Sequence, residues 1–437
     1  MPRLLIVSPR FPPINAPDMH RVRQSLPYYH HHGWQVTVLC IDPATARGVY
    51  DPMLEQTLPP DVEIVRTHAW PEAICRRFGF GELAYRSLLP LYRAGSALLD
   101  RDRYDVVLFS TTVFLCFTLG RLWKRRYGCG VVFDFQDPWY SDDILYTRDT
   151  APGGWWKYRL DRFLARHLER FALKAADHIV CVSPGYVEQL SRRHSRLDLS
   201  MFTVLPFGVA AADYAVARKL PVDMPPALPA IRWVSAGRAG SDMDPVLAVL
   251  FGVLAEAKSA DPTLADRLRL HFVGTNYAPP ERTRKLVQPL ASACAVGDLV
   301  EENSLRVGYF EAISLCAASD AILMIGSTEA DYTASKLLTC VASRRPILAL
   351  FHSRSLVSDI AARFPNVFLA TFDRSPGEPQ FRARVAVGID WLLSRPQFDT
   401  AAIDAALEPW SAQALTRRQC AIFDRCVRND AEGQYAR

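Results

Sequence analysis

Short apolar runs recur along the chain, each followed by a turn-rich loop and then by a stretch whose apolar residues fall at helical spacing. In the first half they are Leu4 to Ser8, Gln35 to Cys40, Val62 to Val65, Asp105 to Phe109, Val131 to Phe135 and His178 to Val182. In the second they are Ile231 to Ser235, Leu268 to Val273, Leu305 to Val307, Ala321 to Ile325 and Ile347 to Phe351. Continuous apolarity marks strands covered on both faces, and the helices between them supply parallel crossovers. The pattern predicts an α/β protein with two doubly wound parallel sheets. Among the helices, the segment from Trp155 to Ala176 predicts a core-facing side made of Trp156, Leu160, Phe163, Leu164, His167, Leu168, Phe171 and Ala175, with arginine and lysine opposite.

Periodicity breaks once. Pro221, Pro225, Pro226 and Pro229 crowd one stretch, which reads as a linker over 216–230 between domains at 1–215 and 231–407. A chain of 437 residues is long enough for two such cores. Each half opens with a strand and a turn, as Rossmann-like units do. The net charge of +5 is too small to indicate nucleic acid, and it permits mild attraction to an anionic membrane or a phosphorylated substrate. The ten cysteines are scattered without a C-x-x-C pair, which suits reduced, buried thiols and a cytoplasmic location. The N-terminal apolar run is too short for a signal peptide. The apolar stretch Val106 to Gly120 falls short of the ~20 residues a membrane span needs, so none is expected.

The most informative block runs from Ala321 to Leu348. A buried strand ends at Gly326, a polar loop follows, and Ser335 and Lys336 then stand at the start of a helix that closes before Pro346. Helix starts offer unpaired N–H groups and a positive dipole, and a lysine there is unfavourable unless an anion is present. The turn holding Gly237, Arg238 and Gly240 is the first of the second half, where open sheets bind phosphates. Taken alone, the turn equally fits an ordinary glycine turn with a surface arginine. Asp137 follows a buried strand and is a candidate either for a turn carboxylate or for a group that orients a hydroxyl. His30, His31 and His32 sit at a helix end before Gly33, where capping is the expected role. No metal site is expected.

The block Tyr332 to Leu348 resembles the P-S-K-L-x-E-Y-x-A-x-G-x-P-I-L segment of GT-B glycosyltransferases of family four. Other segments resemble that family in the same order. Phe11-Pro12-Pro13 with Arg21 is similar to F-P-P-x-x-G-G-x-x-x-R, with Ala16 and Pro17 in place of glycines. Gln136-Asp137-Pro138-Trp139 is similar to its D-x-W element, Ala175 to Ser183 to A-D-x-I-x-x-x-S, and Pro206-Phe207-Gly208-Val209 to P-N-G-V. The resemblance implies two Rossmann-like domains facing across a cleft, with the last segment, 408–437, packing back on the first. It implies that Gly237, Arg238, Gly240, Ser335 and Lys336 hold the diphosphate of a nucleotide-sugar. In this family an E-x7-E pair addresses sugar and ribose, and the matching positions here are Asp331 and Thr339, with Glu329 close to the first. Phe11, Pro13, Arg21, Asp137 and Trp139 fall on the acceptor side, Asp137 steering the acceptor while the leaving phosphate takes its proton. Asp244 stands where many relatives carry a second lysine.

The expected activity is transfer of a sugar, with retention and without cofactor or metal, from a nucleotide diphosphate-sugar to a glycan or lipid-linked acceptor in polysaccharide or glycoconjugate synthesis. A binding-class alternative is a scaffold of the same fold with weakened catalysis, for which Ala16, Pro17, Asp244 and Thr339 speak. A third is a sugar-nucleotide epimerase, which needs paired carboxylates and a histidine near the donor, and the second half offers His271 only within a strand. Basic, aromatic segments at Cys75–Phe80, Trp123–Tyr127 and Trp155–Arg170 suit wetted helix faces or peripheral docking at an anionic inner membrane.

Overall fold

The computed structural model describes residues 1–140, 147, 148, 154–222, 231–276, 278, 280–329 and 335–435. The chain forms two compact units, Met1–Phe207 with Ala412–Arg437, and Gly208–Ser411.

The main sheet of the first unit holds seven described strands: β1 (Arg3–Val7), β2 (Gln35–Ile41), β3 (Glu63–Thr67), β4 (Val106–Ser110), β5 (Gly130–Phe135), β6 (His178–Cys181) and β7 (Phe202–Val204). Their order is β3-β2-β1-β4-β5-β6-β7 and every pairing is parallel. Helices α1 (His20–Tyr29), α2 (Glu72–Arg77), α3 (Leu83–Arg101), α4 (Phe117–Tyr127), α5 (Trp155–Leu173) and α6 (Pro184–Arg193) connect them. Parallel neighbours require such crossovers, and both faces of the sheet are thereby covered. Phe109 and Phe133 on adjacent strands pack with Phe117 of α4, whose ring centroid lies 4.8 Å from that of Phe133. His30–His32 forms one 3-10 turn before Gly33, whose φ of 78° ends the helix in the left-handed region glycine favours.

The second unit opens with α7 (Ala211–Ala217), and its sheet follows the order expected of a Rossmann-like fold. The strands are β8 (Ile231–Ala236), β9 (Leu268–Val273), β10 (Val300–Asn303), β11 (Ala321–Ile325), β12 (Ile347–His352) and β13 (Val367–Phe372). They lie in the order β10-β9-β8-β11-β12-β13, all parallel. Helices α8 (Asp244–Ala260), α9 (Tyr309–Ala318), α10 (Leu337–Ala342) and α11 (Pro379–Leu393) flank it. The division at Phe207 falls ahead of the boundary expected at 215. Residues 211–217 belong with the second unit because α7 packs on α9, where the Tyr309 hydroxyl donates to Asp213 at 2.8 Å.

Helix α12 (Ala412–Tyr435) packs on α1 of the first unit. Tyr29 donates its hydroxyl proton to Gln419 at 2.8 Å, Trp34 Nε1 donates to Asp424 at 3.1 Å, and buried Phe423 lies against both rings.

Three local expectations are corrected. Leu305–Val307 is loop, because Val300–Asn303 has already taken the place beside β9. The half-buried edge strand β13 completes the sheet beyond β12. Most consequentially, α5 is rotated about its axis from the expected orientation: of the residues expected to face the core, only Leu164, Leu168 and Phe171 (half-buried) and Ala175 (buried) do so. Trp156, Leu160 and Phe163 face outward, while the buried residues are Ala165, Glu169, Ala172 and Leu173. Glu169, fully buried, pairs with Arg193 at 3.2 Å and with the His194 ring at 2.7 Å, which fixes that face inward. No described helix is long and apolar enough to cross a membrane.

Candidate active site

In the second unit, β8 runs into the turn that precedes α8. Gly237 has a φ of 156°, and a side chain there would come within 2.6 Å of the Lys336 Nζ. Glycine therefore lets the lysine end lie against the backbone. Lys336 Nζ donates to the Ala236 carbonyl at 3.0 Å. The residue as a whole is exposed, yet its ammonium end is crowded by protein. That desolvation pulls its pKa below the usual lysine value; the Arg306 charge adds to the effect, while Cys340 and Cys316 oppose it.

Arg238 forms a two-pronged pair with Asp242, at 2.9 and 2.7 Å. This pair, and then a bond from Ser327, hold the Asp242 carboxyl below the usual range. Asp242 also accepts through its carbonyl from the Thr328 N–H at 3.0 Å, tying the β8 turn to the loop after β11. Any side chain at Gly240 would collide with this ion pair, lying 2.7 Å from Asp242 and 2.9 Å from Arg238. Gly240 thus makes room for the pair.

Gly237, Arg238, Ser335 and Lys336 line one cavity of about 200 Å³, together with Met243, Phe272, Met324 and Cys340. Its floor is the carboxyl end of β8 and β11, where open sheets receive ligands. Helix α10 is shorter than expected: Lys336 occupies its N-cap position and Ser335 lies in the turn before it. Charge on Lys336 therefore matters more here than a helix dipole. Thr339 stays half-buried on α10 away from the cavity wall, its carbonyl taken by the Tyr214 hydroxyl. Glu329 is exposed on the loop after β11, where its N–H bonds Ser327 Oγ at 3.1 Å. Asp331 lies outside the described residues.

The first unit separates its expected residues into two groups. Asp137 and Trp139 line a cavity of about 910 Å³ with Phe114, Tyr140, Tyr158, Asp161 and Arg162. Trp139 stacks on Phe114 at 5.7 Å and 18°. Asp137 as a residue is exposed, yet protein crowds its carboxyl; that desolvation raises its pKa, Asp18 raises it further, and a bond from Tyr186 works against both.

Phe11, Pro13 and Arg21 are instead buried, which corrects their placement on a ligand-facing wall. The Arg21 side chain is 5% exposed and its Nε lies 2.9 Å from Asp134, itself 1% exposed. Its other nitrogens donate to the carbonyls of Leu205 at 2.7 Å and Pro206 at 3.4 Å, and Phe207 covers the guanidinium. Ser110 Oγ at 2.7 Å and Gln136 Nε2 at 3.0 Å donate to the same oxygen of Asp134 that faces Arg21. Nearby Asp18 accepts from Thr111 Oγ1 at 2.7 Å and the Thr112 N–H at 3.0 Å. Asp242 could have been suspected from its position four residues after Arg238. Asp18, Asp134 and Arg306 carry no comparable local signal.

Two successive Rossmann-like units with all-parallel sheets make up the GT-B fold. Residues 20–208 match the glycosyl transferase 4-like domain family. Solved structures agree along the full length at low identity. A glycosyltransferase from Rickettsia africae aligns with a TM-score of 0.61 and 13% identity, over 98% of this chain and 99% of that one. HepE from Anabaena, in complex with UDP and glucose, gives 0.55 and 14% over 100% of both chains. A UDP-forming trehalose-phosphate synthase from Burkholderia xenovorans gives 0.61 and 13%, over 97% and 99%. Sequence comparison with curated proteins finds no match.

Proposed function

We propose that this chain is a glycosyltransferase that moves a sugar, with retention, from a nucleotide diphosphate-sugar to a hydroxyl of a glycan or lipid-linked acceptor. The observation that carries the reading is Lys336, whose ammonium end is drawn against the Gly237 turn inside a cavity shared with Arg238. A cavity of about 200 Å³ suits the diphosphate, and the remainder of the donor extends beyond it. UDP bound to HepE supports a nucleotide donor. In the transfer, the acceptor oxygen bonds to the anomeric carbon as the bond from that carbon to the phosphate oxygen breaks. The proton passes to the departing phosphate, which leaves as nucleoside diphosphate. Lys336 and the fixed guanidinium of Arg238 stabilise the charge that develops there, so no metal is required.

The acceptor is assigned to the first-unit cavity, where Trp139 offers an apolar face to a sugar ring and Asp137 a hydrogen-bond acceptor for its hydroxyl. The test is calorimetry with UDP, GDP and their sugar conjugates, followed by release of free nucleotide in the presence of acceptor glycans. Binding with turnover supports the reading. Absence of any nucleotide affinity overturns it in favour of a scaffold.

A further inference from the structure

Helix α5 carries its apolar stripe on the wrong side for a protein that works only in water. Trp156, Leu160 and Phe163 follow i, i+4, i+7 spacing and are 75%, 57% and 58% exposed. The inward face is mixed: Asp161 accepts from the Tyr85 hydroxyl at 3.3 Å, and Tyr158, Asp161 and Arg162 wall the large cavity together with Leu164, Ala165 and Leu168. The stripe is not isolated. Ile74 of α2 and the following Phe78 and Phe80 are 59%, 72% and 53% exposed. Two links join this segment to α5. Lys157 pairs with Glu82 at 2.5 Å, and Phe80 packs on the Tyr85 ring that bonds Asp161.

Large exposed apolar side chains from two adjoining elements mark an interaction surface. Its charge selects the partner. Arg76, Arg77, Arg159, Arg166 and Arg170 are exposed along the same two elements, whereas Glu72 is occupied by Arg47 and Arg76, and Glu82 by Lys157. Aromatic and leucine side chains flanked by arginine fit the boundary of an anionic bilayer, where rings enter the headgroup region and guanidinium groups meet lipid phosphate.

We propose that the first unit docks on an anionic membrane surface through Trp156, Leu160 and Phe163 of α5 and Ile74, Phe78 and Phe80 beside α2. The docking face borders the cavity that holds Asp137 and Trp139, so an acceptor carried on a lipid in that membrane enters from the side. This last point rests on the transfer reading, whereas docking itself does not.

Flotation of the full chain tests it. Vesicles containing phosphatidylglycerol carry the protein upward at low salt, pure phosphatidylcholine vesicles carry far less, and added salt releases it. Substituting Trp156→Ser, Leu160→Ser and Phe163→Ser together reduces the floated fraction on the order of tenfold. The melting temperature stays unchanged because these side chains support no core. The proposal is overturned if wild type does not float on anionic vesicles, or if the triple variant floats equally. It is also overturned if the triple substitution abolishes self-association in sedimentation while leaving lipid binding absent, which would make the stripe a contact between copies. A protein that floats but binds no nucleotide leaves docking intact and removes only the transfer reading.

Discussion

Replacing Arg21 by methionine separates a structural role from a ligand-facing one. The guanidinium is the cationic partner of Asp134 in a nearly water-free site, with side-chain exposures of 5% and 1%. Methionine fills a similar volume but leaves the Asp134 carboxylate with only the Ser110 and Gln136 bonds to offset its burial. It also frees the carbonyls of Leu205 and Pro206. Breaking a buried pair by removing one partner costs about 3–5 kcal/mol. In a domain the size of the first unit, that corresponds to a fall in melting temperature of about 6–20 °C. Differential scanning calorimetry on Arg21→Met reads the fall directly. Adding Asp134→Asn removes the stranded charge while keeping an oxygen for Ser110, and recovers more than half of the loss. If Arg21→Met melts with wild type while its acceptor KM rises, the guanidinium reaches substrate and the buried-pair reasoning fails.

Substituting Lys336→Met removes a charged donor from the proposed diphosphate site. A bond to a charged group is worth about 1.5–3 kcal/mol, so calorimetry should show nucleoside diphosphate affinity lower by about 10–100-fold, with melting nearly unchanged. Affinity within about twofold of wild type counts against the site. His178 supplies a pH test. Burial, and secondarily Arg425, lower its pKa from 6.5 to about 4, so the unfolded chain takes up the proton first as pH falls. The native state therefore keeps full stability above 6.5 and loses on the order of 3 kcal/mol as pH drops towards 4. Urea unfolding of His178→Gln should show that much less acid sensitivity between those limits. Asp137 has a raised pKa, so the acid limb of transfer should begin above the usual carboxylate range, and Asp137→Asn should flatten that limb and lower kcat. An unchanged pH profile in Asp137→Asn removes it from the acceptor site.

The strands were largely legible because burial on both faces leaves long apolar runs that need no tertiary knowledge to find. Edge strands β7 and β13 escape this pattern because they are only half-buried. Periodicity in α5 disclosed an apolar stripe at Trp156, Leu160 and Phe163 but held no information on which way the stripe faces, and Glu169 decides that through partners on a later helix. Lys336 was legible because its place after β11 is set by local order. Arg21 and Asp134 stand far apart in sequence, so their pairing is a property of the folded sheet. Arg306 similarly reaches the neighbourhood of Lys336 only through the arrangement of loops.

Helix α12 bears on how the protein is made. The groove over Tyr29 and Trp34 is closed by Gln419, Phe423 and Asp424, residues the ribosome adds only after the whole of Gly208–Ser411. The first unit emerges first yet finishes last, waiting with apolar side chains uncovered while the second is translated and folds. A nascent chain stalled before Ala412 would therefore be a chaperone client and a target for proteolysis, whereas the same polypeptide extended through α12 would escape both.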